Sequence, residues 1–183
     1  MTTSTLKLNS WMIGATVLLF LLALAINELL FTRLEFAPGI NWIYLPAGVR
    51  LLCTLLFAEA GAIGLLLVSW GVCFFHFFPN DPVRSFMGGI LASASPYLVY
   101  LGMRRYLGLR AALTNLTPAR LLLCALAFSI ASPLLHHLWF ALYEGKTGLV
   151  NSFAVMATGD FCGTVTVLYA AKFLLGRMAP ARR

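Results

Sequence analysis

Long apolar stretches follow one another along nearly the whole of this chain, and that succession leaves few structures open to it. A helix needs roughly 20 apolar residues to cross ~30 Å of hydrocarbon. Six stretches come close to that length: residues 11–31, 42–58, 61–78, 86–103, 119–143 and 150–175. The joint between the second and third, near Glu59 to Gly61, is tight. The expected fold is all-α: one integral membrane domain over residues 1–183, a polytopic transmembrane helical bundle of about six spans. Composition agrees. Sixty-one per cent of the residues are hydrophobic and 10% are charged, where a soluble domain carries about 25% charged residues. A soluble chain of this make-up would aggregate.

The first stretch has features of a signal peptide, with Lys7, an apolar run and Ala23-Leu24-Ala25. The run continues to Phe31, so it is expected to stay as a span. Pro46 falls in the first turns of the second span, where a missing N–H does least harm. Pro96 and Pro133 fall inside spans and should kink them.

The charges test the count of spans. Six spans put both termini and the second and fourth loops on one side. That side collects nine of the 13 Lys and Arg: Lys7, Arg104, Arg105, Arg110, Arg120, Lys172, Arg177, Arg182 and Arg183. The other side has Arg33, Arg84 and Lys146, each with an acidic neighbour in Glu35, Asp81 or Glu144. The bias of basic residues toward the cytoplasm then puts both termini inside, in a multi-pass protein of a bacterial inner membrane. The net charge of +7 is scattered in short clusters rather than laid out as a stripe, so nucleic acid is not an expected partner. Asn115-Leu116-Thr117 matches a glycosylation acceptor but falls in an expected cytoplasmic loop, so the match reads as chance. Cys53, Cys73, Cys124 and Cys162 lie in apolar segments at no metal-ligand or CxxC spacing, and read as small buried residues.

Ionisable side chains inside spans are costly, on the order of 2.5–3.5 kcal/mol at the centre. Glu28, Arg50, His76, His136, His137 and Asp160 are the residues concerned. At ~1.5 Å rise per residue, Arg50 is ~13 Å and Asp160 ~15 Å in from the outer ends of their spans. The others also fall in outer halves; Glu59 alone sits at the inner joint. Two readings stay open. Arg50 and Asp160 neutralise each other between helices, with the histidines as neutral interfacial groups. Alternatively, Arg50, Asp160, His136, His137, His76, Glu28 and the interfacial Trp42 line a periplasm-facing pocket for a small ligand or a membrane partner. A proton path lacks a relay through the inner half. A metal site is disfavoured because adjacent helical residues such as His136 and His137 point ~100° apart. No nucleophile–base set is visible, and no enzyme activity, metal or cofactor is expected. Gly88, Gly89, Ser93, Ser95, Ser129 and Ser132, with their alanine neighbours, read as close helix packing. Gly159 and Gly163 bracket Asp160 as GxxxG and should press it against a neighbouring helix.

Two stretches carry a resemblance. Residues Asn41-Trp42-Ile43-Tyr44-Leu45-Pro46-Ala47-Gly48-Val49 and Thr158-Gly159-Asp160-Phe161-Cys162-Gly163 resemble the early W-P-P-A-G-like and late G-D-x-x-G signatures of the MASE1 family of bacterial membrane sensor domains. Pro118-Ala119-Arg120-Leu121, leading into a long span, fits the family's layout. The resemblance implies that Pro46, Gly48, Gly159, Asp160 and Gly163 occupy the family's characteristic positions. It also implies a role in signal transduction. Leu45 replaces the first proline of the family's pair, and the chain is shorter than the usual domain. A short basic tail follows the last span, so a stand-alone sensory or accessory module without an output domain is expected, signalling through another membrane or signalling protein. Two alternatives stand beside it: a six-span substrate-binding component of an energy-coupling-factor transporter, and a structural assembly subunit. The first often docks through an AxxxA patch in its first span, which is lacking between Trp11 and Phe31.

Overall fold

The computed structural model describes residues 3–178, with side chains for residues 4–174. Arg182, Arg183 and the side chain of Arg177, part of the basic cluster noted above, lie outside the described residues. The chain is helical almost throughout: α1 (Thr3–Phe31), α2 (Leu45–Val72), α3 (Pro82–Tyr106), α4 (Pro118–Leu142) and α5 (Val150–Met178). All five are long and apolar enough to cross a membrane. Large apolar side chains such as Leu18, Leu29, Leu67, Phe75 and Ile130 face outward. In water that surface would be a liability; against lipid it is the expected exterior.

Where six separate spans were expected, residues 45–72 form one element, α2, followed by the five-residue π-turn Cys73–Phe77, but α2 is broken into two arms near the expected tight joint. The merged helix is not straight. Ala58 has φ 47° and ψ −118°, far from helical values. On a straight helix, residues eight apart are separated by ~12 Å. Here a Cβ built on Gly61 would collide with the Cys53 carbonyl, leaving no room for any side chain but hydrogen. The chain therefore folds back at Ala58, with a first arm of residues 45–57 and a second arm from residue 59 onward. Glycine at 61 lets the arms touch. The first arm has 13 residues, about 20 Å of helix, well short of the bilayer's ~30 Å.

The residues before that short arm are not helical, which corrects the expected start at Trp42. A 3-10 turn (Thr32–Leu34) leads into a small antiparallel pair, β1 (Glu35–Ala37) and β2 (Ile40–Asn41). Irregular backbone at membrane depth is tolerated only where protein satisfies it. That happens here in two places. The Asn27 side chain on α1 accepts a hydrogen bond from the Leu45 N–H at 2.9 Å. The Gly159 carbonyl on α5 accepts one from the Tyr44 N–H at 3.1 Å.

α2 is the centre of the bundle. It packs against α1, α3 and α5, while α4 bridges α3 and α5. Half of its most apolar stretch is buried, against 28–39% in the other helices. Leu51, Cys53 and Leu65 from α2 meet Phe20, Tyr100 and Phe128 in one core. Helix starts are set by local chemistry. Asp81 accepts from the Arg84 N–H and Thr117 from the Arg120 N–H, each followed by proline at the first helical position. The α3–α4 loop is ordered by Asn115, whose side chain accepts from the Arg110 N–H and donates to the Gly108 carbonyl. The glycosylation-like triplet thus contains a structural loop residue.

Candidate functional site

A cavity of about 60 Å³ lies where all five helices converge with the 38–44 segment. On the same measure a single water needs roughly 10–15 Å³. Its wall includes Pro38, Gly39, Phe78, Arg84 and Trp139, from the 38–44 segment, the turn after α2, α3 and α4. The π-turn shapes one wall. It adds a residue to the helical turn, bringing Cys73 and Phe77 into the lining and leaving His76 exposed. Ser85 on α3 pins this turn, donating to the carbonyls of Cys73 and Phe78 at 3.0 and 2.8 Å.

Arg50 is the deepest charged group in the wall and is only 7% exposed. Its guanidinium carbon sits 5.3 Å from the Phe20 ring centre and 5.4 Å from that of Tyr44. Such contacts hold a cation in place without using up its N–H groups. Its Nε has no hydrogen-bond partner. Asp160, 1% exposed, is close enough to Arg50 for the two charges to act on each other. Among the described residues, however, the only ion pairs are Arg84–Glu144 and Lys146–Glu144. Arg50 and Asp160 share a region without direct contact. Asp160 is not in the cavity wall, and its side chain neighbours that of Ser132.

The two stretches behind the family resemblance pack on each other. A Cβ at Gly159 would collide with the Asn41 carbonyl, and one at Gly163 with the Tyr44 carbonyl. A Cβ at Gly48 would come within 2.6 Å of Val167 Cβ and 2.9 Å of the Gly163 carbonyl. The GxxxG of α5 therefore acts as a seat for the backbone of residues 41–48. Asp160 lies between its two glycines, and Arg50 follows on the first helical turns of α2 after Pro46.

The remaining sequence candidates separate. His136 lines the cavity. Its Nδ1 contacts the Ser132 carbonyl at 2.8 Å, which requires the hydrogen on that nitrogen and leaves Nε2 for other partners. His137 belongs to the α4–α5 interface, bonded to the Pro133 carbonyl and to Ser152 Oγ, both at 2.8 Å, with Phe140 and Phe153 edge-on. His76, Glu28 and Trp42 are not part of the cavity wall. His76 lies tilted beside Phe77, Glu28 sits half-buried on α1, and Trp42 is 47% exposed beyond β2.

Four wall groups were not among those candidates: Ser69, Arg84, Trp139 and Tyr44. Sequence proximity paired Arg84 with Asp81. In the structure Asp81 caps the helix through the Arg84 N–H, and the Arg84 side chain reaches Glu144 at 3.5 Å. Its guanidinium carbon also lies 4.1 Å from the Phe78 ring centre. Ser69 Oγ and Trp139 Nε1 lack a hydrogen-bond partner, and Arg84 Nε is the atom that faces Glu144 Oε1. No family model matches this chain, and no curated protein or solved structure is significantly similar to it.

Proposed function

We propose that this chain is an integral membrane sensory or accessory module of MASE1-like kind, binding a ligand or a membrane partner through the cavity that holds Arg50. In this reading it is a multi-pass protein of a bacterial inner membrane. The reversal at Ala58 makes the crossings six, with the 104–120 loop and both termini cytoplasmic and the cavity opening outward. Engagement of the Arg50–Asp160 region changes how α2 and α5 pack, and a partner protein reads that change.

One observation carries the reading: a guanidinium buried between two aromatic rings at the wall of a cavity, with an N–H left without a protein partner. Intramembrane charges that serve packing alone are paired with each other or with backbone carbonyls. Cavity size supports a headgroup or partner side chain over transport of a whole vitamin-sized molecule, since small-molecule pockets commonly enclose about 300–1,000 Å³.

The test is purification in mild detergent followed by native mass spectrometry, with wild type and Arg50→Gln compared at matched accumulation. A bound small molecule or stoichiometric partner is expected on the wild type and absent from the variant. Two bare chains of equal mass, apart from the substitution, would count against the reading.

A further inference from the structure

The wall residues left with unpartnered side-chain atoms share one chemical sense. Arg50 Nε and Trp139 Nε1 can only donate hydrogen bonds, and Ser69 Oγ can donate one; Arg84, also in the wall, has its Nε 3.5 Å from Glu144 Oε1. They come from elements far apart in sequence: Arg50 and Ser69 from α2, Arg84 from α3 and Trp139 from α4. No Asp or Glu is in the wall. The nearby carboxylates lie outside it, Asp160 acting on Arg50 and Glu144 on Arg84, with Glu144 shared by Lys146 at 2.6 Å. Those carboxylates offset the charge of the arginines: Glu144 engages Arg84 at its Nε, while Arg50 Nε is left without a partner. Aromatic rings hold both guanidiniums from the side: Phe20 and Tyr44 for Arg50, Phe78 and Phe140 for Arg84.

We propose that the cavity is an oxyanion site that takes a phosphate-type group, free or as the headgroup of an anionic lipid. This inference rests on the pocket reading above and adds the chemistry of the occupant. An oxyanion accepts several charge-assisted hydrogen bonds at once, and a forked guanidinium matches its geometry. A cation would meet two arginines, and a neutral apolar group would leave Arg50 Nε, Trp139 Nε1 and Ser69 Oγ buried without partners, each at a desolvation cost. The space admits a headgroup and little more, so an acyl chain would leave through the mouth.

Thermal unfolding of the purified full chain in a neutral detergent tests this with three probes: inorganic phosphate, dihexanoyl phosphatidylglycerol and the uncharged dihexanoylglycerol. Wild type is expected to be stabilised by at least one phosphate-bearing probe and not by dihexanoylglycerol. A hydrogen bond from or to a charged group is worth enough that Arg50→Gln should weaken binding about tenfold or more. Trp139→Phe keeps the ring, removes only the N–H, and should weaken binding by a smaller factor, about threefold to tenfold. It keeps the proposal testable if Arg50→Gln does not fold. Response to phosphate alone identifies a free anion, and response to the lipid alone identifies a headgroup; either supports the site. Equal stabilisation by dihexanoylglycerol, or unchanged affinity in the foldable variants, overturns the oxyanion assignment and leaves a pocket for another ligand. No response to any probe also overturns it; the mild-detergent comparison then decides separately whether the pocket reading falls too.

Discussion

At the scale of single residues, the central fact is that Arg50 and Asp160 are both buried, near each other, and not in contact. Removing one leaves the other uncompensated, at a cost on the order of 3 kcal/mol. Asp160→Asn and Arg50→Gln should each lower the unfolding temperature in detergent, and the double variant should lose less than the two single effects added together. Strict additivity would show that the charges do not communicate. Span boundaries and helical rise led to the expectation of similar depths; what the structure shows is that the two charges lie near each other. Which way each side chain points was not legible in the sequence. His136 and His137 differ by one residue and serve a cavity and a helix interface respectively. Arg84 was hidden for a related reason: its partner Glu144 is on the far side of α4, and nothing in the local sequence announces that meeting.

At the scale of elements, glycine decides which surfaces can meet. Gly159→Ala and Gly163→Ala would drive a methyl group into backbone carbonyls that cannot move aside as a side chain would. Overpacking of this kind costs about 1–3 kcal/mol, so each should lower the unfolding temperature and membrane accumulation. Gly71→Ala and Gly102→Ala meet nothing within 4 Å and serve as controls. Wild-type melting of the Gly163 variant would remove the seat from this account. Ala58 makes the opposite case. Its φ of 47° suits glycine, and left-handed backbone costs a residue with a Cβ about 1–2 kcal/mol. Ala58→Gly should therefore raise the unfolding temperature, while Ala58→Val should lower it. The close fit expected of the GxxxG was visible in the sequence, as was a tight joint near Glu59. The short β1–β2 pair was not, since five residues of strand between two apolar stretches carry no period of their own.

At the scale of the molecule, five helices are long and apolar enough to cross a membrane, and the reversal in α2 bears on the topology. With six crossings, a location reporter at the N-terminus and one fused after Arg110 should read the same side, and one fused after Lys146 the opposite side. Different readings at the N-terminus and Arg110, as a single crossing by α2 would give, would refute the arrangement. Hydropathy made the bundle readable because lipid imposes length and composition on whatever crosses it. It is silent on how deep a non-helical segment can sit. The first arm of α2 is too short to cross alone, and the approach to it borrows hydrogen bonds from Asn27 on α1 and Gly159 on α5. One of those lenders is made before the second helix and the other long after it. Until α5 emerges, the Tyr44 amide lacks its Gly159 acceptor and the 41–48 backbone has no glycine ledge to rest on. Biogenesis must therefore include an act of repair, in which a helix made much later completes the second.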